Sequence, residues 1–296
     1  MQAHTVQFGK RRLRLGNLEK VMYHRAGFTK AQLIAYYARI APTMLPHLRG
    51  RPVTLRRFPD GVEGPWFYQK NCPVHRPAWL PVASIASESQ DDGRITYCQL
   101  DEAAAMVWAA NLAAIELHAS LHHSDTPNSP TAMVFDLDPT APAGFGQCVQ
   151  AAFELKAMLA KLDMRGHPKH SGGKGLHVYV PMRQPSDYDY TKGLAQSMAR
   201  VLAQHHRRWV TDRMSKAGRG GKVFVDWSQN TRSKTTVCVY SLRAEPVPRV
   251  SAPMTWEELT PWMDDPGRPG PGFGPDEVIE RVEAQGDLFA ALTAGA

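Results

Sequence analysis

The chain has no apolar run approaching the ~20 residues of a membrane span, and no apolar signal-peptide region follows Met1. Both absences point to a cytoplasmic protein with no membrane partner. Cysteine is scarce: the 4 present, Cys72, Cys98, Cys148 and Cys238, lie far apart without a C-x-x-C. They read as reduced thiols. Cys72-Pro-Val-His75 hints at half a zinc site, but no second Cys/His pair has ligand spacing. Acids are nearly missing from residues 1–57, where 12 Lys/Arg stand against Glu19 alone, leaving 23 Lys/Arg and 27 Asp/Glu for the other 239 residues. A basic N-terminal fifth on a slightly acidic body fits a polyanion-binding footprint or a solvated basic face, and charge alone favours neither.

What is present suffices for a real core: 296 residues, 43% of them hydrophobic. Residues 5–16 predict one or two short basic strands, and Asn17 a cap on a short helical turn. Thr29 predicts the N-cap of a helix over about 30–46, with Leu33, Ile34, Tyr37 and Ile40 on one face. A strand over Pro52–Phe58 precedes a Pro59-Asp60-Gly61 turn. Asp101 is expected to cap an Ala-rich helix over about 102–117, ending at Leu117-His118. A strand over Ala132–Leu137, a helix over 146–163 and a strand over His177–Val180 follow. Next come a helix over about 187–208 and strands at 222–227 and 235–242. Residues 261–275, rich in Pro and Gly, predict an irregular tether before an amphipathic helix over about 276–292. Strands and helices mix without steady alternation, which favours α+β over a doubly wound sheet.

The chemistry gathers in three places. Asp136 and Asp138 follow the apolar run Met133-Val-Phe, and residues two apart on a strand face the same side. Both carboxylates can point into one pocket and bridge two metal ions about 3.5–4 Å apart. Asp226, ending Val223-Phe-Val, offers a third hard oxygen ligand suited to Mg²⁺ or Mn²⁺. Ser171-Gly-Gly-Lys174-Gly-Leu-His177 is a glycine loop entering a strand, too short for a Walker A loop, with Lys174 and Ser171 adding charge and a hydroxyl for phosphate. A second D-x-D, Asp187-Tyr-Asp189, lies at a polar helix start, where an N-cap explains it. Asp136-Leu-Asp-Pro-Thr140 also matches the haloacid-dehalogenase phosphatase signature. That reading needs a later strand ending in paired acids, and only Asp264-Asp265 is available. His118, at the expected helix end, would be favoured as a cation.

These residues resemble the polymerase domain of bacterial ligase D, in the archaeo-eukaryotic primase superfamily. The likeness rests on Phe67-Tyr-Gln-Lys70, Glu116-Leu-His118, Val134-Phe-Asp-Leu-Asp-Pro139, Ser171 to His177, Lys222-Val-Phe-Val-Asp-Trp-Ser-Gln-Asn230 and Tyr240-Ser-Leu-Arg243, in that order along nearly the whole chain. It implies a single primase-polymerase domain whose α+β catalytic core has two intimate β-sheet lobes flanked by helices. Within it, a basic DNA-end-binding region over about 1–57 precedes a core over about 58–260, the tether and a C-terminal docking helix. It further implies gap filling and end extension in non-homologous end joining by two-metal nucleotidyl transfer. Ribonucleotides would be preferred over deoxynucleotides, with two Mn²⁺ (or Mg²⁺) ions. The expected partners are gapped or broken DNA with a downstream 5′-phosphate, Ku and a DNA ligase, and the expected location is nucleoid-associated.

By motif, Asp136, Asp138 and Asp226 would bind metal, and His118 would act beside the sugar and primer terminus. Ser171, Lys174, His177, Gln229, Arg243 and Arg56 would surround the nucleotide. Asn17, Lys20 and Lys30 would form the 5′-phosphate pocket, while Phe67, Tyr68, Arg57 and Arg219 would contact template DNA. Arg56-Arg57 stands where relatives carry Lys-Arg, Tyr68 where some have Phe, and His170 where Thr is common, which leaves the role of His170 open. No ligase or nuclease domain is attached, so a stand-alone polymerase and an excised domain are both compatible. A DNA-end-bridging module without catalysis remains the alternative of a different class.

Overall fold

In the computed structural model, which describes residues 3–87 and 93–293, the basic N-terminal segment forms a hairpin of β1 (Ala3–Phe8) and β2 (Arg11–Gly16). Asn17 does not cap a helical turn. It sits at φ +57°, a left-handed conformation Asn tolerates, and its carbonyl accepts from Lys20 N–H at 3.0 Å, closing a tight turn. Strands β3 (Val21–Tyr23) and β4 (Phe28–Thr29) then lead into α1 (Lys30–Leu48). Thr29 caps α1 as expected, with Gln32 closing a reciprocal capping box. Strands β5 (Val53–Arg57), β6 (Phe67–Gln69), β7 (Val82–Ala86) and β8 (Arg94–Cys98) follow.

The long Ala-rich helix expected over about 102–117 does not form. Helix α2 covers only Ala103–Asn111, and Ala113, at φ +59°, turns the chain into strand β9 (Ala114–Ala119). Every residue of β9 is buried, because it lies between β5 and a later strand. Alanine content gave a helical propensity that two-sided burial overrode. Asp101 does not cap α2; it accepts from Gly50 N–H at 2.7 Å. His118 therefore sits on a strand, and the helix-dipole argument for it falls.

The next stretch carries β10 (Ala132–Pro139), α3 (Phe145–Ala160), β11 (His167–His170), β12 (Leu176–Pro181), α4 (Tyr188–His205), β13 (Val210–Thr211) and β14 (Val223–Asp226). Asp187 caps α4 through Tyr190 N–H, as expected of the second D-x-D. Short strands β15 (Thr236–Val237), β16 (Leu242–Arg243) and β17 (Arg249–Val250) precede α5 (Trp256–Asp264) and α6 (Pro275–Gln285). The expected tether is partly helix, with Trp262 and Phe273 buried in it. The last helix stops at Gln285 rather than about 292, burying Val278 and Ile279. Among the described residues no helix is long and apolar enough to cross a membrane.

These elements form two compact units, each assembled from separated stretches of chain. The first comprises Met1–Asp125, Thr235–Val250 and Phe273–Asp287, around a six-stranded sheet ordered β15-β9-β5-β8-β7 with β6 on β5. The second comprises Thr126–Lys234, Ser251–Gly272 and Leu288–Ala296, around a five-stranded sheet ordered β11-β12-β10-β14-β13. Helices α3 and α4 pack on its central β10, where Phe135 and Leu137 are fully buried. Each such side chain contributes about 1.5–3 kcal/mol to holding that strand in register.

One thiol expectation is corrected. Cys72 and Cys98, 26 residues apart, form a disulfide, because Cys72 N–H bonds Thr96 O and lays the segment after β6 along β8. Spacing carried no sign of that pairing. Cys148 and Cys238 are free and buried.

Candidate active site

In the second unit, register alone brings the predicted acids together. Asp136 on β10 is the cross-strand partner of His177 on β12 and of Asp226 on β14. Asp138, two residues on, shares its face, opposite Phe224. Asp136 is half-buried and pairs with His177 Nε2 at 3.3 Å, while Asp138 is exposed. Partial desolvation, then repulsion from Asp136, raises the Asp138 carboxyl above its ordinary range, with Arg219 and Lys174 pulling the other way. Asp226 adds to the repulsion. Three carboxylates that repel one another on one sheet are a donor set suited to a hard divalent cation. Among the described residues they are not drawn together at ligating distances. Asp226 is held by its own turn: Oδ1 accepts from Ser228 N–H (2.8 Å) and Oγ–H (2.6 Å), Oδ2 from Gln229 Nε2 (2.8 Å).

The glycine loop is built around Ser171 Oγ, which accepts from the amides of Gly173 (3.2 Å) and Gly175 (3.1 Å). Two of the N–H groups expected to cradle phosphate are thus used inside the loop, leaving the Ser171 hydroxyl proton and the exposed Lys174 for a ligand. His170 supports the loop from below: its Nδ1 accepts from Gly172 N–H at 3.0 Å and its ring packs edge-on against Phe145. That settles the position the sequence left open. Arg219 is buried and ties its own loop, donating to Ser215 O and Met214 O, with the guanidinium 3.6 Å from the Phe224 ring. Asn230, fully buried, clamps both backbone groups of Val134 (2.8 and 2.7 Å), fixing the turn after Asp226 to β10. In the sequence Asn230 stands out only as the end of the Lys222–Asn230 motif. Asp264 and Asp265, the acids a phosphatase would need, close helix α5 rather than a strand.

In the first unit, a second cluster forms around Glu116, which the sequence shows only as part of the Glu116-Leu-His118 motif and without a role of its own. On β9 its carboxylate is almost completely buried. It takes Arg56 Nη1 at 2.9 Å, His118 Nε2 at 2.8 Å, Ala244 N–H at 3.0 Å and Arg243 Nε at 3.3 Å. Burial would raise its pKa, but the His118 hydrogen bond and the Arg243 charge prevail and hold it down at about 2. Burial lowers the His118 pKa against the pull of Glu116. Arg56 lies 4.0 Å from the Trp66 ring, and Tyr68 meets the His118 ring edge-on at 5.6 Å. Phe67 and Tyr68 are exposed on β6, opposite Arg57 and Arg56. Arg57 is anchored to Leu112 O and Gln69 and stacks near Phe67.

Lys20 and Lys30 also come together, since Lys30 N–H bonds Lys20 O at 2.8 Å. The buried Lys30 donates to Gly16 O, and burial, then the charges of Lys20 and Arg57, lower its pKa to about 8. Asn17 sits exposed at the turn between them. Lys20 pairs with the exposed Asp60 at 2.7 Å, a surface bridge worth little and easily exchanged for another anion.

The family model described as LigD, primase-polymerase domain, matches residues 29–289. The multifunctional non-homologous end joining protein LigD of Mycolicibacterium smegmatis is 40% identical over 287 residues, 96% of this chain and 36% of that protein. The bifunctional LigD of Bacillus subtilis is 30% identical over 284 residues, 94% of this chain and 44% of that protein. This chain thus spans less than half the length of these curated relatives. The solved polymerase domain of Mycobacterium tuberculosis ligase D in complex with DNA superposes with a TM-score of 0.89 at 38% identity, covering 97% of this chain and all of that one.

Proposed function

The chain belongs to the LigD primase-polymerase domain family, whose members are nucleotidyltransferases, and we propose that it extends primers across gaps at DNA breaks by metal-assisted nucleotidyl transfer. The observation that carries this reading is the register of β10, which sets Asp136 between His177 and Asp226 with Asp138 on the same face. Asp136, Asp138 and Asp226 would hold the divalent ions, Mn²⁺ or Mg²⁺. Bound there, two such ions supply Lewis acidity at hydroxyl and phosphoryl oxygens. Lys174 and the Ser171 hydroxyl bind the triphosphate, and His177 holds Asp136 in place. Gln229 orients Asp226. By the family motifs, Arg243 and Arg56 would serve the charge of the nucleotide and His118 its sugar. Phe67 and Tyr68 offer stacking surface to template bases, Arg57 ties β6 to the end of α2, and Arg219 steadies the loop ahead of Asp226. Ribonucleotide preference and work alongside Ku and a ligase belong to this proposal too.

Asn17, Lys20 and Lys30 form the pocket for the downstream 5′-phosphate. The depressed Lys30 pKa supports it: burial, then the charges of Lys20 and Arg57, disfavour the charged ammonium, and a bound phosphate would favour it again. Losing one charge-assisted contact costs about 1.5–3 kcal/mol. Lys20→Ala should therefore lower the preference for a phosphorylated over an unphosphorylated gap by about tenfold or more. An unchanged preference would remove Lys20 from the pocket.

The deciding assay incubates the protein with a gapped, 5′-phosphorylated duplex, nucleotides and Mn²⁺. Extension supports the polymerase. Shifted mobility without extension would support a bridging module instead. Running ribonucleotides against deoxynucleotides in the same assay tests sugar preference.

A further inference from the structure

Resting on that polymerase reading, we infer that Glu116 is a positioning residue whose two oxygens fix which ring nitrogen of His118 carries the proton, so that His118 presents Nδ1 as an acceptor to a sugar or primer hydroxyl. The division of labour is plain in the contacts. Oε1 accepts from Arg56 Nη1 (2.9 Å) and Ala244 N–H (3.0 Å) and pairs with Arg243 Nε (3.3 Å). Oε2 faces His118 Nε2 at 2.8 Å. A carboxylate held down near 2 has no proton to give at working pH, so Nε2 must be the donor. A neutral imidazole has one N–H, and Nδ1 therefore keeps its lone pair. No described residue hydrogen-bonds Nδ1. Burial keeps the ring neutral, and Tyr68 fixes its plane from the edge.

A hydroxyl donor is what this nitrogen suits. An imidazole of the other tautomer would offer a donor to the same hydroxyl and compete with its own proton. Glutamine cannot replace Glu116 for the same reason. Its single oxygen would stay with Arg56, Arg243 and Ala244, since an amide N–H₂ there would face three other donors. The amide nitrogen would then point at His118 Nε2 and force that nitrogen to accept. Glu116→Gln should invert the His118 tautomer.

Nitrogen-15 NMR of histidine-labelled protein reads the tautomer directly. In the wild type at pH 8, His118 should be protonated at Nε2 and bare at Nδ1. In Glu116→Gln the two should exchange, and kcat for gap extension should fall by about 10–100-fold, the usual effect of losing such an orienting partner. A wild-type ring protonated at Nδ1 would overturn the inference, whether or not the variant folds. An inverted tautomer with unchanged kcat would overturn the use of the acceptor while leaving the polymerase reading intact. Failure of the wild type to extend any gapped substrate would strike the polymerase reading instead, and the NMR result would still decide the tautomer.

Discussion

Asp138→Ala should abolish gap extension, by at least about 10³-fold or ~4 kcal/mol of transition-state stabilisation, while leaving the protein folded and bound to DNA. The site is better placed for metal than for its own stability. Asp138 is exposed at the end of β10, and repulsion from Asp136 and Asp226 contributes to raising its pKa. Removing it relieves that repulsion and gives up the pull of Arg219 and Lys174. The expected melting temperature is equal to or slightly above that of the wild type, as for residues kept at a cost to stability for function. DNA affinity should persist because Lys20, Lys30 and Arg57 belong to the other unit. Extension assays, electrophoretic shift and thermal melting on one preparation separate the cases. Normal extension would end the metal assignment of Asp138. Loss of extension together with folding would show instead that the residue is structural.

The acids were legible because their signal is local. A D-x-D after an apolar run states its own geometry, since side chains two apart on a strand share a face whatever surrounds them. Asp226 was legible for the same reason, at the end of Val223-Phe-Val. Thr29 with Gln32, and Asp187 before Tyr190, were likewise readable from the few residues that make each cap. The mixed α+β class followed from strands and helices that mix without steady alternation, and the family from motif order.

What stayed hidden depends on partners far along the chain. Ala114 to Ala119 looked helical because alanine favours helices, and only pairing with β5 and β15 makes it a central strand. That single error concealed the role of Glu116, which comes from Arg56, 60 residues earlier, and Arg243. The Cys72–Cys98 disulfide is a fact of the β8 neighbourhood rather than of spacing. The assignment of residues 273–287 to one unit and 251–272 to the other turned an expected tether into packed structure. Asn230 could have been suspected: a polar residue inside a motif with no ligand role often clamps the backbone.

Gly175→Ala is the second large effect expected, and it tests why the loop needs this glycine. Gly175 does not adopt a left-handed conformation, so backbone freedom is not the reason. A Cβ built there would lie 2.2 Å from the carbonyl oxygen of Leu137 on β10. That oxygen belongs to a backbone already paired with Leu176, so neither strand can withdraw without breaking the register that aligns Asp136 with His177. The Gly175 amide also donates to Ser171 Oγ, the post around which the loop is wound. One methyl group therefore strains the sheet and unwinds the phosphate-binding loop together. Overpacking of this kind costs about 1–3 kcal/mol, which corresponds to a drop of about 2–5 °C in melting temperature for a chain of this size. Displacement of Lys174 and Ser171 should raise the nucleotide KM by about tenfold or more, since a misplacement near 1 Å is enough to cost that much. Gly193 on α4 supplies the contrast: its added Cβ meets nothing within 4 Å, and Gly193→Ala should stabilise by about 0.4–1 kcal/mol with unchanged kinetics. Thermal melting and nucleotide titrations on both variants distinguish a loop that must touch β10 from one that merely turns. If Gly175→Ala matches Gly193→Ala in both measurements, the close approach of loop and strand is not what shapes the site.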